Sequence, residues 1–295
     1  MELVFEALYG ALEATRGTAV NPPTRWLPFA GTLNPRQERY RPDETRGVRA
    51  ANFRSQTVRR WGELGGGTGA LDPQIAHVLA AMAVNGAAVV PTSPSTNSRL
   101  WTFSRAMGAD NLRSMTIYGM DPNVQQFRSA FFMLDEWVIT ADAGGTEGVT
   151  NSITGQGQFP SATAASSIPA QTTGVGFVPG LMSVALDTSS AIGTTTIDTF
   201  VSAKLTIPTG VKRKWRAGGA NSTLGFQAIG LEKTAPTLEL AFEVNALAQV
   251  YNVFANNNGD NVFAARLRMN GPEIDPGFRY YVEVDFWGTC DKQDW

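Results

Sequence analysis

The chain is poor in the residues that supply nucleophilic, acid–base and metal chemistry. Its 295 residues include one cysteine, Cys290, and one histidine, His77. One cysteine excludes an intrachain disulfide, and the two residues together cannot form a Cys/His zinc site. A hydrolytic triad needs a base such as histidine, but His77 lies among Ile75, Val78 and Leu79, where a structural histidine is the better interpretation. We therefore expect no enzymatic activity, no metal and no cofactor.

Two further patterns fail as catalytic motifs. The glycine-rich run GGGTGA (65–70) has no Lys-Ser or Lys-Thr behind it and no carboxylate where a ribose partner would stand, so we predict a flexible loop. The pairs Asp43-Glu44 and Asp135-Glu136 are adjacent, and neighbours on a strand point to opposite faces. They favour surface charge over a glycosidase dyad, while convergence of distant acids stays open.

Charge is scarce and unevenly distributed. Charged residues make up 17% of the chain and the net charge is −2, which argues against a generic nucleic-acid binder. Residues 1–128 hold 14 arginines, no lysine and 10 acids, residues 129–203 hold six acids and no basic residue, and residues 204–295 hold ten of each sign. The Arg-rich segment 36–60 also carries acids, a mixture that favours contacts between subunits over a nucleic-acid groove.

Signals for export or membrane insertion are missing as well. Glu2 and Glu6 stand where a secretory signal would carry basic residues, and no apolar run is long enough to span a bilayer. The sequon that begins at Asn221 therefore carries little weight. We expect a soluble protein made in a cytoplasm-like compartment.

What the sequence does contain is a series of short β-prone runs separated by Gly, Pro, Asn and Asp turns. Nine such runs after Trp26 predict a mainly β protein with sheets that pack on each other. Two segments predict short helices. The first opens with Asp72-Pro73, and the second precedes the run 256–259. Their apolar faces are Ile75, Val78, Leu79 and Met82 in the first and Leu247, Val250, Tyr251 and Phe254 in the second.

Each predicted helix follows one β-run and precedes two more, joined by a turn containing Asp-Pro. The last runs also match, since Phe127-Arg128 leads to Asp135 and Trp137 as Phe278-Arg279 leads to Asp285 and Trp287. We predict a duplicated unit in two tandem β-sandwich domains, each with one flanking helix. The boundaries are an N-terminal arm at 1–24, a first domain at 25–160 with a hairpin near 149–159, a linker or loop at 161–177 and a second domain at 178–295.

At this level the sequence resembles the tail tube (major tail) proteins of long-tailed bacteriophages, in their duplicated-domain form. The resemblance rests on the opening GALEATRGTAVNPPTRWLPFAGTL, on RGVRAANFRSQTVRRWGELGG before the first helix, and on FEVNALAQVYNVF, ARLRMNG and YYVEVDFWG near the end. It covers most of the chain as diffuse patterning without a catalytic motif, and it is weakest at 86–110 and 160–180.

The resemblance implies a virion structural protein that stacks as rings into the hollow tail tube through which DNA is delivered. A duplicated chain would close each ring as a homotrimer with pseudo-sixfold symmetry. Its partners would be further copies of itself and tape-measure and tail terminator or tip proteins, with host cytoplasm as the site of assembly. The alternatives are a capsid or baseplate ring protein and, further away, a carbohydrate-binding β-sandwich with exposed aromatics such as Trp101 and Trp215.

The distribution of charge also predicts which segments line the bore and which segments contact other subunits. A bore that conducts DNA must not bind phosphates, so we expect the region without basic residues, 129–203, to contribute more to the lumen than 36–60 does. We expect 36–60 at subunit or ring contacts. The N-terminal arm and the loop 160–180 are the predicted contacts between rings.

Overall fold

A computed structural model describes residues 3–4, 7–40, 55–86, 91–105, 112–121, 125–146, 148–163, 167, 169–170, 176–187, 192–215, 224–226, 228–243 and 263–289. Most of these residues lie in antiparallel strands, which confirms the mainly β prediction. The strands are β1 (Leu3–Val4), β2 (Ala7–Leu12), β3 (Arg25–Leu27), β4 (Ala30–Tyr40), β5 (Gln56–Ala70), β6 (Met115–Asp121), β7 (Gln125–Asp142), β8 (Thr150–Gly157), β9 (Ser161–Thr163), β10 (Met182–Asp187), β11 (Thr196–Ile197), β12 (Phe200–Pro208), β13 (Val211–Lys214), β14 (Ala228–Leu231), β15 (Thr237–Phe242), β16 (Phe263–Asp275) and β17 (Phe278–Gly288).

The described part of the chain has one α-helix, α1 (Pro73–Ala83), which confirms the first helix prediction, and one short 3-10 helix at Pro179–Leu181. The Asp72 carboxylate caps its first turn by accepting a hydrogen bond of 2.7 Å from the Gln74 amide, and Pro73 occupies the first helical position. The four predicted apolar residues are all buried. The second predicted helix, at 247–254, lies outside the described residues.

Strand β7 belongs to two sheets. Its first part pairs with β6, in the order β3-β2-β6-β7, and its second part pairs with β8 and β12. The second part continues in the order β4-β5-β8-β7-β12-β15, which we call the long sheet. The change of sheet coincides with a left-handed backbone at Phe131, whose φ is 52°, and with a bulge between Leu134 and Glu136.

The core lies between these sheets and α1. It joins Leu8 of β2, Val78 of α1 and Ile139 of β7 to Leu205 of β12 and Leu267 of β16, each no more than 1% exposed. Residues from both sides of the predicted linker therefore share one apolar interior.

The two halves of the chain repeat the same strand pairings. In the first, hairpin β2–β3 pairs with β6, β6 pairs with β7, and β4 pairs with β5. In the second, hairpin β10–β11 pairs with β16, β16 pairs with β17, and β12 pairs with β15. The duplicated unit inferred from short sequence matches thus has a counterpart in topology.

The domain division itself stays a prediction, and three contacts cross its boundaries. Within 1–24, β2 lies inside a sheet between β3 and β6. Within 161–177, β9 pairs with β7, and Phe177 is buried. Strand β12 of the second unit pairs along seven residues with β7 of the first. The segment near 149–159 was predicted to form a hairpin, but it contains one strand, β8, which pairs with β7.

The glycine-rich run 65–70 is a strand, so the prediction of a flexible loop there is wrong. It forms the end of β5 and pairs with β8. Its glycines are needed for close packing, because a Cβ on Gly69 would lie 1.9 Å from the Pro28 carbonyl oxygen and one on Gly67 would lie 2.8 Å from the Ile153 side chain. The glycine-rich composition of this run therefore reflects the close approach of neighbouring chain segments, and it does not indicate a mobile loop.

Candidate assembly surfaces

Unpaired sheet edges are the first surface that could bind a partner. The outer side of β4 is covered by β1 at Thr32 and Leu33, and no described strand covers it from Asn34 to Tyr40. Strand β17 pairs with β16 along its whole length and has no second neighbour within the described ranges. Exposed edges such as these present unpaired amide and carbonyl groups to any other strand.

Two tryptophans at matching places in the repeat differ sharply in exposure. Trp137 in β7 lies opposite Ile153 of β8 and Ile207 of β12 and is 4% exposed. Trp287 in β17 lies opposite Ala264 of β16 and is 56% exposed. The difference has a geometric cause, because Trp137 points into the core, whereas Trp287 lies on the opposite face of its strand from the core-facing Val284 and Phe286.

The face of the long sheet turned away from the core is rich in hydroxyl groups. Its cross-strand register is continuous through five strands, because Thr140 lies opposite both Thr150 and Lys204, while Val138 lies opposite Ser152 and Thr206. We call this surface the hydroxyl face; its half-buried and exposed side chains are Thr68, Val138, Thr140, Thr150, Ser152, Ser202, Lys204, Thr206, Thr237 and Glu239.

Cations on this side of the long sheet are paired with carboxylates of the same chain. The Lys204 ammonium lies 3.6 Å from the Glu239 carboxylate within the hydroxyl face. Further along, the Arg36 guanidinium lies 2.9 Å from Glu63. A basic charge neutralised by a neighbour attracts phosphate less than a free one does, so the surface combines polarity with little net positive charge.

Next to the hydroxyl face, hairpin β13–β14 covers β5 and forms a polar cavity of about 540 Å³. Glu63 and Asp135 both line it, so two acids from distant positions do share one site. Trp61 and Arg36 hold Glu63, however, with hydrogen bonds of 2.7 and 2.9 Å. Burial alone would raise the pKa of Glu63, but these two bonds lower it.

Asp135 in the same cavity has the opposite shift. Burial raises its pKa, against a hydrogen bond of 2.6 Å from the Gln156 amide and the positive charge of Arg213. Arg213 in turn stacks on Trp61 at 4.3 Å from the ring centre and is 4.0 Å from Glu63. The acids are thus committed to intrachain contacts, which is typical of a structural ion-pair network.

The two tryptophans named above as possible sugar-binding residues, Trp101 and Trp215, already contact other side chains of the chain. The Trp215 ring packs edge-on against Trp61 and Phe226, and the Arg59 guanidinium covers it at 5.3 Å. Trp101, which is 38% exposed, stacks on His77 with ring centres 4.8 Å apart. Each ring therefore already makes an aromatic contact within the chain.

His77 is half-buried on α1. Burial, and secondarily the charge of Arg25, lower its pKa, so the neutral ring is favoured. No group of three or more His, Cys, Asp or Glu side chains able to hold a metal occurs among the described residues. Cys290 lies outside them. No helix in the described part of the chain is long and apolar enough to cross a membrane.

Two carboxylates anchor the hairpins that begin each repeat. The buried Glu13 carboxylate, after β2, accepts hydrogen bonds of 2.7 Å from the Gly17 amide, 2.5 Å from the Ser114 hydroxyl, 2.8 Å from the Thr116 hydroxyl and 2.8 Å from the Phe131 amide. It therefore links the N-terminal segment to the sheet-switching residue of β7.

Asp187, at the end of β10, has the corresponding role in the second repeat. It accepts hydrogen bonds from the amides of Gly193, Thr194 and Thr195 at 2.7, 3.0 and 3.0 Å, and also from the Thr194 hydroxyl. Burial alone would raise its pKa, but these donors lower it overall. Its partners all lie in its own hairpin loop.

The segments assigned to contacts by charge lie on several surfaces. Residues 36–40 and 55–60 form the exposed end of the β4–β5 ribbon, where Tyr40 is 58% and Val58 is 42% exposed. The segment 129–203 supplies β8, most of β7 and the start of β12, and hence half of the hydroxyl face. Sequence reasoning missed the hydroxyl face and both carboxylate anchors, since only the cross-strand register and the long-range contacts bring their members together.

No protein-family profile matches the sequence, and no curated protein matches it.

Proposed function

We propose that the chain is a virion structural subunit whose copies join edge to edge into rings, and that the rings stack into a hollow phage tail tube through which DNA is delivered. The observation that carries this proposal is the pairing of β12 with β7 between Ser202 and Pro208. Two repeats of one chain are joined there by main-chain hydrogen bonds at a sheet edge. Repetition of that contact between copies gives a ring when the rotation from one repeat to the next closes after three chains.

The hydroxyl face supports the same function. If the long sheets of neighbouring copies join around an axis, one of their faces must line the bore. Hydroxyls with paired or acidic charges suit that place, because a bore with free cations would retain DNA by counterion release. The ring would be a homotrimer with six quasi-equivalent units, with tape-measure and terminator or tip proteins at the two ends of the tube.

Electron microscopy of the purified full chain in negative stain tests the assembly. We expect uniform hollow filaments with a bore wide enough for duplex DNA. A closed shell or isolated single rings would instead favour the capsid or baseplate alternative. A monomer at every concentration would contradict the proposal.

A second experiment tests the role of the hydroxyl face. Assembled tubes of the variant Thr140→Lys with Thr206→Lys are mixed with short duplex DNA and sedimented. We expect DNA to co-sediment with this variant in a salt-sensitive manner and to stay in solution with the unaltered tubes. The matched control is Ser161→Lys, which adds charge at an exposed position of β9 outside the hydroxyl face. Equal retention by the control and the double variant would argue against a bore lined by this face.

A further inference from the structure

The direction of the strands decides which residues of a subunit face the neighbouring rings. In the proposed ring, copies join by strand pairing at sheet edges, and antiparallel pairing places the hydrogen bonds perpendicular to the strands. The strands of the long sheet therefore run from one rim of the ring to the other. Their register places Tyr40 and Pro208 at one end of this sheet and Asp142 and Phe200 at the other.

The end with Asp142 carries exposed carboxylates. Asp142 ends β7, Asp198 lies two residues before β12, and Glu243 directly follows β15; all three side chains are exposed. The Glu243 amide donates a hydrogen bond of 2.9 Å to the Thr199 carbonyl, so these strand ends lie side by side. We call the three carboxylates the acidic rim. The stretches that form this end contain no lysine or arginine: 141–150, 196–203 and 241–243.

The end with Tyr40 and Pro208 carries more cations than carboxylates. Its exposed acids are neutralised within the chain, since Glu38, Glu63 and Glu232 lie 3.2, 2.9 and 3.5 Å from an arginine or lysine. The stretches that form this end hold eight basic and five acidic residues: 36–40, 56–63, 133–136, 208–215 and 230–234. An excess of positive charge is therefore left at this end.

Three exposed cations carry that excess, and we call them the basic rim. Arg39 precedes the last residue of β4, Lys214 ends β13, and Lys233 follows β14. None of the three forms an ion pair with a carboxylate in the described part of the chain, and the same holds for the three members of the acidic rim with respect to cations. Each rim thus has three charges of one sign without a described counter-charge.

From this polarity we infer that rings stack with the acidic rim of one copy against the basic rim of a copy in the next ring. The inference rests on the proposed function and adds the two surfaces that meet between rings. A second copy fits each rim because it brings three opposite charges, whereas two like rims would repel each other. A contact between two different faces also repeats without limit along an axis, as a filament requires.

Charge reversal of one rim at a time tests the inference. One variant turns the acidic rim basic, and the other turns the basic rim acidic. The substitutions are Asp142→Lys with Asp198→Lys and Glu243→Lys in the first, and Arg39→Glu with Lys214→Glu and Lys233→Glu in the second. Either variant alone has two rims of one sign, so we expect no tubes at low salt. Mixing the two should restore tubes that contain both variants in equal amounts.

Electron microscopy detects the tubes, and mass spectrometry of sedimented tubes gives the ratio of the two variants. Circular dichroism of each unassembled variant reports its folding. The control exchanges a pair away from both rims, Lys204→Glu with Glu239→Lys, and should assemble like the unaltered chain. Equal loss of tubes in the control would show that assembly does not depend on the rims and would overturn the inference.

The remaining outcomes separate this inference from the proposed function. Normal tubes from either reversed variant alone, or no tubes from the mixture of two folded variants, overturn the rim contact and leave tube formation by the unaltered chain intact. Failure of the unaltered chain to assemble overturns both.

Salt provides a test that needs no variant. Raising the ionic strength from about 0.02 M to about 0.5 M should slow tube growth by the unaltered chain about tenfold, because screening removes the attraction between the rims. Light scattering measures the rate of growth, and a rate independent of salt also overturns the inference.

Discussion

The hairpins β6–β7 and β16–β17 have the same place in the two repeats but different surroundings. The first is enclosed, since β8 and β12 flank the second part of β7 and Trp137 faces the core. In the second, β16 is the one neighbour of β17 among the described strands, and Trp287 lies on the face turned away from the core. The difference teaches that matching places in the two repeats have different neighbouring strands and turn their tryptophans to different sides.

The largest expected effect separates the two tryptophans. Trp137→Ala should lower the free energy of unfolding by about 3–5 kcal/mol, because it leaves a cavity in the core. Trp287→Ala should change that quantity by less than about 1 kcal/mol, since the side chain is exposed on the face turned away from the core. Urea denaturation measured on the unassembled chain checks both.

Trp137→Phe is the control for this pair. The indole N–H of Trp137 is buried without a hydrogen-bond partner, so phenylalanine keeps most of the packing and removes an unsatisfied donor. Its cost should be well below that of Trp137→Ala. Equal losses of unfolding free energy for Trp137→Ala and Trp287→Ala would contradict the difference in burial between the two side chains.

The next effect contrasts the two carboxylate anchors. Glu13→Ala should lower the free energy of unfolding by roughly 3 kcal/mol, because it leaves hydrogen-bond donors from three separate parts of the chain without their acceptor. Asp187→Ala should cost about 1–2 kcal/mol, since its donors lie in one loop. Glu232→Ala, at an exposed ion pair with Lys212, is the control with little expected change. Equal losses at Glu13 and Asp187 would contradict a long-range role for Glu13.

The Asp187 contribution should depend on pH in a defined direction. Its pKa is lowered in the folded state, so the stabilisation is fully present above the unfolded-state value of about 3.9 and is lost as pH falls through the folded-state value. The difference between the unaltered chain and Asp187→Asn should therefore be largest near neutral pH and shrink under acid. Urea titrations at several pH values measure it.

Asp135 gives a smaller effect of the opposite sign. Because burial raises its pKa, the folded state binds a proton more readily than the unfolded state, and stability falls as pH rises through that interval. Asp135→Asn should thus modestly raise the unfolding free energy at neutral pH and give no gain below the unfolded-state pKa. A loss of stability at neutral pH would show that the charge of Asp135 is needed by Arg213.

The smallest effect is expected on the hydroxyl face. Lys204 and Glu239 are about half and two-thirds exposed, with 3.6 Å between the charged groups, so their coupling should be below about 0.5 kcal/mol. A double-mutant cycle with alanine at both positions measures it. Loss of Glu239 alone should nevertheless increase DNA retention by assembled tubes, because it frees the Lys204 ammonium.

Structural features set by interactions between nearby residues could be predicted from the sequence, whereas features set by contacts between distant residues could not. Local signals predicted α1, whose cap and apolar face are set within eleven residues, and the alternating runs predicted the strands. The pairing of β12 with β7 joins residues far apart in the chain, and no local pattern encodes it. At 65–70 the prediction was wrong, because glycines that leave room for the Pro28 backbone cannot be told from the glycines of a flexible loop by composition.

The surfaces were predicted less well than the strands for the same reason. Charge counts pointed to 129–203 as a region without cations, but the hydroxyl face also includes Lys204 and residues of β15, which the register adds from outside that range. Glu13 lies in the opening run on which the resemblance rests, whereas its buried contacts with Ser114 and Phe131 depend on tertiary structure.

The passage of β7 from one sheet to the other also has a mechanical meaning. A force that pulls the two sheets apart would in most sandwiches be resisted by side-chain packing and by hydrogen bonds that break one after another. Here the uninterrupted backbone from Gln125 to Asp142 connects the two layers, so part of the strain is taken by covalent bonds. In the tube proposed above, this continuous backbone would keep the two sheets of each subunit together under tension.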